Sequence, residues 1–161
     1  MSDEFSIQEI VEIAIEIEKN GVVFYSTLAE SADTERLKEL FAFLAKEEES
    51  HISRFQEILE SVGGYQISEI YYATQYMGYM KALADERVFT SDVAAAEIAA
   101  QARSPEKAID IAIAFEKESV IFLHEMWQLV DKCDREAIQK LLDEERDHIR
   151  RLSAIKTQMD S

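Results

Sequence analysis

Two of the chain's three histidines follow a glutamate by three residues. The pairs are Glu48 and His51 in KEEESHI (Lys46–Ile52), and Glu145 and His148 in DEERDHI (Asp143–Ile149). Residues three apart on an α-helix share a face, so both side chains of a pair can reach one metal ion. Two further glutamates, Glu18 and Glu116, stand in stretches that resemble each other, AIEIEKNGVVFY (Ala14–Tyr25) and AIAFEKESVIFL (Ala112–Leu123). A carboxylate buried alone costs several kcal/mol and normally takes up a proton instead. Four in one core repel one another and require cations. Two divalent ions would neutralise them, with one imidazole for each ion and carboxylates to bridge or cap the pair. Oxygen and nitrogen donors of this kind suit iron, with manganese or zinc as alternatives.

Four long helices must position these six residues. Each carries a seam of small or apolar side chains at alternating steps of three and four, the spacing of a bundle core. The seams are Ala14, Glu18, Gly21, Tyr25, Leu28; Leu37, Phe41, Leu44, Glu48, His51, Phe55, Ile58; Ala112, Glu116, Ser119, Leu123, Met126; and Ile138, Leu141, Glu145, His148, Leu152, Ile155. The candidate ligands occupy the middle of each. The helices are expected over residues 7–29, 34–62, 105–130 and 134–157. Ser6-Ile7-Gln8-Glu9 fits a capping box for the first, and Asp33 is the expected N-cap of the second. Gly63-Gly64 should end the second, and Ser104-Pro105 should start the third. Short connections within each pair force antiparallel neighbours. A crossover over residues 65–103 joins the pairs. It should hold a tyrosine-rich helical piece over 67–86 (Tyr71, Tyr72, Tyr76, Tyr79) and an alanine-rich one over 92–102, capped by Ser91. The expected architecture is all-α: one domain over residues 1–161, a four-helix bundle with one long crossover.

The two pairs are also a repeat. Glu18 aligns with Glu116, Gly21 with Ser119, Glu48 with Glu145 and His51 with His148, at one offset to within a residue. Similar amphipathic helices align easily, but that does not account for two scarce histidines falling on equivalent positions.

Composition narrows the function. Four glycines and one proline in 161 residues favour helix. A net charge of −16 excludes attraction to nucleic acid or an anionic membrane. Cys133 is the only cysteine, so no intrachain disulfide and no cysteine-ligated metal site can form, which fits a reducing cytoplasm. The acidic N-terminus has no signal-peptide pattern, and no apolar run approaches the roughly 18 residues of a membrane span.

With EKNGVVFY, KEEESHI, FEKESVIF, DEERDHI and the long crossover, nearly the whole chain resembles the rubrerythrin branch of the ferritin-like superfamily. The resemblance implies a ferritin-like bundle with two iron ions per chain. Glu48 and Glu145 would bridge them, Glu18 and Glu116 would be terminal ligands, and His51 and His148 the nitrogen ligands. It implies reduction of peroxide or dioxygen in oxidative-stress defence. Rubrerythrins proper also carry a four-cysteine rubredoxin domain, and a further glutamate one turn after the helix-three ligand. One cysteine cannot build that domain, and Ser119 occupies the second position. An external electron-donor protein is then expected. Ferroxidase activity in iron handling and a non-catalytic metal-binding bundle are the rival readings. Tyr25, two turns from Glu18, is a candidate hydrogen-bond partner of a ligand or a packed core tyrosine. Gly21 either leaves room for substrate or permits close packing. Glu47, Glu49 and Glu144 face away from the seam, as solvated groups or at most supports for the ligands. His124 is expected at a surface or interface, Trp127 in the core or at a subunit contact, and Cys133 in the turn between the last two helices. The aromatic crossover favours a homodimer.

Overall fold

Six helices emerge from a computed structural model that describes residues 7–61 and 76–161. They are α1 (Ile7–Ser31), α2 (Glu35–Ser61), α3 (Tyr76–Asp85), α4 (Asp92–Gln101), α5 (Pro105–Leu129) and α6 (Lys132–Met159). No strand occurs among the described residues. The Ser6 cap, the Gly63-Gly64 stop and the first part of the tyrosine-rich piece, with Tyr71 and Tyr72, lie outside the described residues.

Local chemistry sets the boundaries. The Ser104 hydroxyl accepts the Lys107 N–H at 3.2 Å, and Pro105 fills a position whose N–H has no helical partner. Ser91 caps α4 by accepting the Ala94 N–H at 3.0 Å. At the start of α2 the expected Asp33 cap is displaced by its neighbour. Thr34 Oγ1 accepts the Leu37 N–H at 3.3 Å, and the Thr34 carbonyl accepts the Lys38 N–H. A capping side chain reaches three residues ahead, and here that register belongs to Thr34. Helix α6 begins slightly before the expected Asp134. Cys133 therefore sits, exposed, in its first turn rather than in the connection. The Asp134 carboxylate is buried and accepts the Ser61 hydroxyl at 3.0 and 3.2 Å, joining the end of α2 to the start of α6.

Packing is densest within the antiparallel pairs α1–α2 and α5–α6. The pairs meet along α1–α5 and α2–α6, and α4 lies along α1. All seam positions are buried except Ile155, which is half-buried. An aromatic cluster of Phe24, Tyr25, Phe89 and Phe115 packs in the core with ring centroids 4.6–6.1 Å apart. Full burial of each ring contributes about 1.5–3 kcal/mol. Phe89 comes from the connection between α3 and α4. The Asn20 side-chain amide donates to its carbonyl at 3.3 Å, and the Val88 N–H donates to Glu118 Oε2 at 2.7 Å. These bonds fasten the crossover to α1 and α5. None of the described helices is long and apolar enough to cross a membrane.

Candidate metal centre

The six expected ligands converge at the middle of the bundle, one from each of α1 and α5 and two from each of α2 and α6. All are 1 % exposed or less. They form two quartets, each with its ligand atoms within 4.8 Å of one another. The first is Glu18, Glu48, His51 and Glu145; the second is Glu48, Glu116, Glu145 and His148. Glu48 and Glu145 belong to both, while each quartet has its own glutamate and its own imidazole.

Both histidines turn Nδ1 toward the carboxylates. His51 Nδ1 lies 3.1 Å from Glu145, 3.5 Å from Glu18 and 3.7 Å from Glu48. His148 Nδ1 lies 3.0 Å from Glu145 and 3.5 Å from both Glu48 and Glu116. The two rings stack nearly parallel, with centroids 5.6 Å apart. Helical geometry explains the convergence: the i, i+3 spacing puts each imidazole one turn beyond the glutamate of its own helix, Glu48 or Glu145.

The donor set fits a pair of divalent cations. Both oxygens of Glu48 and of Glu145, one of Glu18, one of Glu116 and Nδ1 of both histidines are buried with no hydrogen-bond partner. Orphaned buried acceptors on this scale are costly unless a cation receives them. The protein alone must use protons. Burial, reinforced by the charge of Glu48, pushes Glu18 well above the usual carboxylate range. Burial and the charge of Glu145 push Glu116 up to about 8, against the opposing influence of His148. Burial disfavours a charged imidazole, yet the surrounding carboxylates prevail, raising His51 and bringing His148 up to about 12. Glu145 is the exception. Burial and Glu18 oppose its charge, but the two imidazoles hold its carboxyl below the usual value.

Tyr25 is fully buried, and its hydroxyl donates to Glu116 Oε1 at 2.5 Å, across the bundle rather than along its own helix to Glu18. Burial, with the charges of Glu116 and Glu48, raises the phenol well above its ordinary value and keeps it a donor. The space beside Gly21 is filled, not open. A Cβ there would meet the Phe115 ring at 2.7 and 2.9 Å and Glu48 Cγ at 3.4 Å, so close packing accounts for the glycine. Ser119, its counterpart in the repeat, is buried with an unpartnered hydroxyl.

Glu144 and Arg54 matter more than their off-seam positions suggest. Glu144 Oε2 lies 3.0 Å from His51 Nε2, the nitrogen facing away from the carboxylates. Arg54 grips the same carboxylate through both fork nitrogens, at 2.7 and 3.0 Å. Burial works against the Glu144 charge, but the Arg54 guanidinium wins and holds the carboxyl below its usual value. Glu47, by contrast, stands 3.8 Å from His148 Nε2, beyond hydrogen-bonding reach. It also groups with the two imidazoles, one ligand atom from each lying within 4.8 Å of the others. His124 is exposed, 3.2 Å from an Arg146 nitrogen, and has no part in the cluster. Trp127 is half-buried beneath the Arg135 guanidinium, 4.4 Å from the ring centroid.

The fold has a counterpart of known structure. A Thermotoga maritima protein, provisionally described as a ferritin-like diiron-carboxylate protein, superposes with a TM-score of 0.71. The match covers 99 % of each chain at 23 % identity, and at that identity it speaks for the fold. No curated protein matches the sequence. The family model described as rubrerythrin matches residues 9–156, which include all six clustered residues and both Glu-x-x-His pairs. On that match, this all-α chain belongs to the rubrerythrin family.

Proposed function

We propose that the protein is a non-haem di-iron carboxylate oxidoreductase that reduces peroxide, or dioxygen, with electrons from an external donor protein. The observation that carries this reading is the pair of quartets sharing Glu48 and Glu145. Shared carboxylates with two distinct ends describe a frame for two ions held side by side. Glu48 and Glu145 would bridge, Glu18 and Glu116 would cap, and His51 and His148 would each supply one nitrogen. A ferrous pair, when bound, supplies the two electrons that reduce an O–O bond, one from each ion.

The chain's own residues prepare that chemistry. The apolar seam around the ligands excludes bulk water and strengthens every charge interaction within. Tyr25 Oη holds a proton against Glu116 Oε1 and fixes that carboxylate's orientation. Cytoplasmic location and homodimeric assembly complete the reading. The net charge of −16 favours a second one, ferroxidase activity in iron handling, because such a surface concentrates Fe²⁺.

Metal analysis of protein purified without added metal, followed by anaerobic ferrous loading and peroxide challenge, separates these readings. Two ions per chain and sustained peroxide consumption with an added reductase system are expected. Retained ferric mineral without reductase-dependent turnover would favour iron handling. A folded protein that takes up no iron would sink both.

A further inference from the structure

The repeat that places the six ligands also places a support behind each imidazole, and only one of the two supports is assembled. Glu144 and Arg54 stand behind His51. The residues in the corresponding positions behind His148 are Glu47 and Arg151. Behind His51 the chain of contacts is complete: Nε2 to Glu144 at 3.0 Å, and Glu144 to both fork nitrogens of Arg54. Behind His148 it is broken at both links. Glu47 is 3.8 Å away, and His148 Nε2 has no hydrogen-bond partner. Arg151 has turned elsewhere, with Nε donating to Asp147 Oδ2 at 2.5 Å and its guanidinium 4.9 Å from the centroid of the Phe43 ring.

We infer that the two metal positions are unequal, and that the one served by His51 fills first. The inference rests on the two-ion reading of the site. An Nε2–H donated to Glu144 fixes the tautomer that leaves the Nδ1 lone pair facing the carboxylates. It also fixes the plane of the ring and makes Nδ1 more basic. Such partners typically account for about 10–100-fold in metal affinity. His148 Nε2 has no such acceptor, so no bond there fixes its tautomer, and the plane of its ring rests on packing against His51 and Phe43 alone. The remaining ligands are alike in kind, one terminal glutamate at each position and the same two bridges. The Tyr25 hydroxyl steadies Glu116 at the second position but leaves His148 itself unsupported. Glu144 and Arg54 are positioning residues, since they act on the ion only through His51.

Zinc alone is a suitable probe, being redox-inert and accepting the same donors. With three histidines in the chain, nitrogen-15 imidazole NMR during a zinc titration can follow each ring separately. At one equivalent, His51 Nδ1 should show the metal-bound shift while His148 remains mostly free, and the second equivalent should convert His148. Glu144→Ala should weaken the His51 position about 10–100-fold and abolish the order. Glu144→Gln, which keeps an acceptor, should restore part of it. Arg54→Ala provides the same test with Glu144 retained, should the first variant fold poorly. Glu47→Ala should leave the order unchanged. Both rings converting together at one equivalent, or an order untouched by Glu144→Ala and Arg54→Ala, overturns the inference while leaving the two-ion site standing. A wild-type chain that binds no zinc at either ring, and no iron, overturns both.

Discussion

Glu48 and Glu145 are the residues whose loss should be felt at both metal positions, because each belongs to both quartets. Glu48→Ala with Glu145→Ala is expected to abolish binding of both ions, read by metal analysis after loading. Glu18→Ala should spare more of the position served by His148. Tyr25→Phe keeps the ring contacts with Phe41, Phe24 and Phe115 but removes the bond to Glu116. A cost of about 1–2 kcal/mol in urea denaturation of the metal-free protein is expected, with two ions per chain still bound. The sequence already singled out the six clustered residues, because a glutamate or histidine on an apolar seam contradicts its surroundings. Glu144 and Arg54 carry no such contradiction, since acidic and basic residues off a seam are ordinary in a solvated helix. Only the pairing of α2 with α6 reveals them. The same limit applies to Tyr25, whose acceptor is set by which helix lies across the core.

Gly21 shows what one position contributes to an element. Gly21→Ala gains about 1 kcal/mol of helix propensity, yet its methyl would approach the Phe115 ring at 2.7 Å. That ring is held by Tyr25 and Phe89 and cannot withdraw freely. A net loss of about 1–3 kcal/mol is expected in urea denaturation. The repeat position provides a contrast. Ser119→Ala removes a buried, unpartnered hydroxyl, so the metal-free protein should be as stable as wild type or more so. A loss above about 1 kcal/mol would show that the hydroxyl has a partner. Helix boundaries were legible where a serine precedes a clean start, as at Ser91 and Ser104. They were less so at Asp33-Thr34, where two adjacent residues can both cap and one residue of register decides.

For the molecule as a whole, protons and metal ions compete for one core. Glu116 rises from 4.5 to about 8 and His148 from 6.5 to about 12 on folding, so the folded metal-free chain binds more protons than the unfolded one in between. Stability linked to these groups is therefore fully present at low pH and is lost as pH rises. The metal-free midpoint temperature should fall from pH 6 to pH 8. Metal loading should reverse the slope, because ions replace those protons and bind more tightly as pH rises. A thermal scan of both forms at the two pH values checks the signs. Stripping the metal at pH 8 should lower the midpoint, as removal of any ligand specific to the native state does.

The contact pattern of the bundle has a kinetic consequence. Most helix packing lies within α1–α2 and α5–α6, pairs closed by very short connections, and such local hairpins form before distant segments meet. Each hairpin brings together only two of the four carboxylates and one imidazole. All four carboxyl groups share one core only when one hairpin docks on the other, so the cost of burying and protonating them falls on the last step of assembly. Divalent ions present during refolding should accelerate that step and leave the earlier gain of helix unchanged. Stopped-flow circular dichroism paired with Trp127 fluorescence, with and without zinc, would resolve the two.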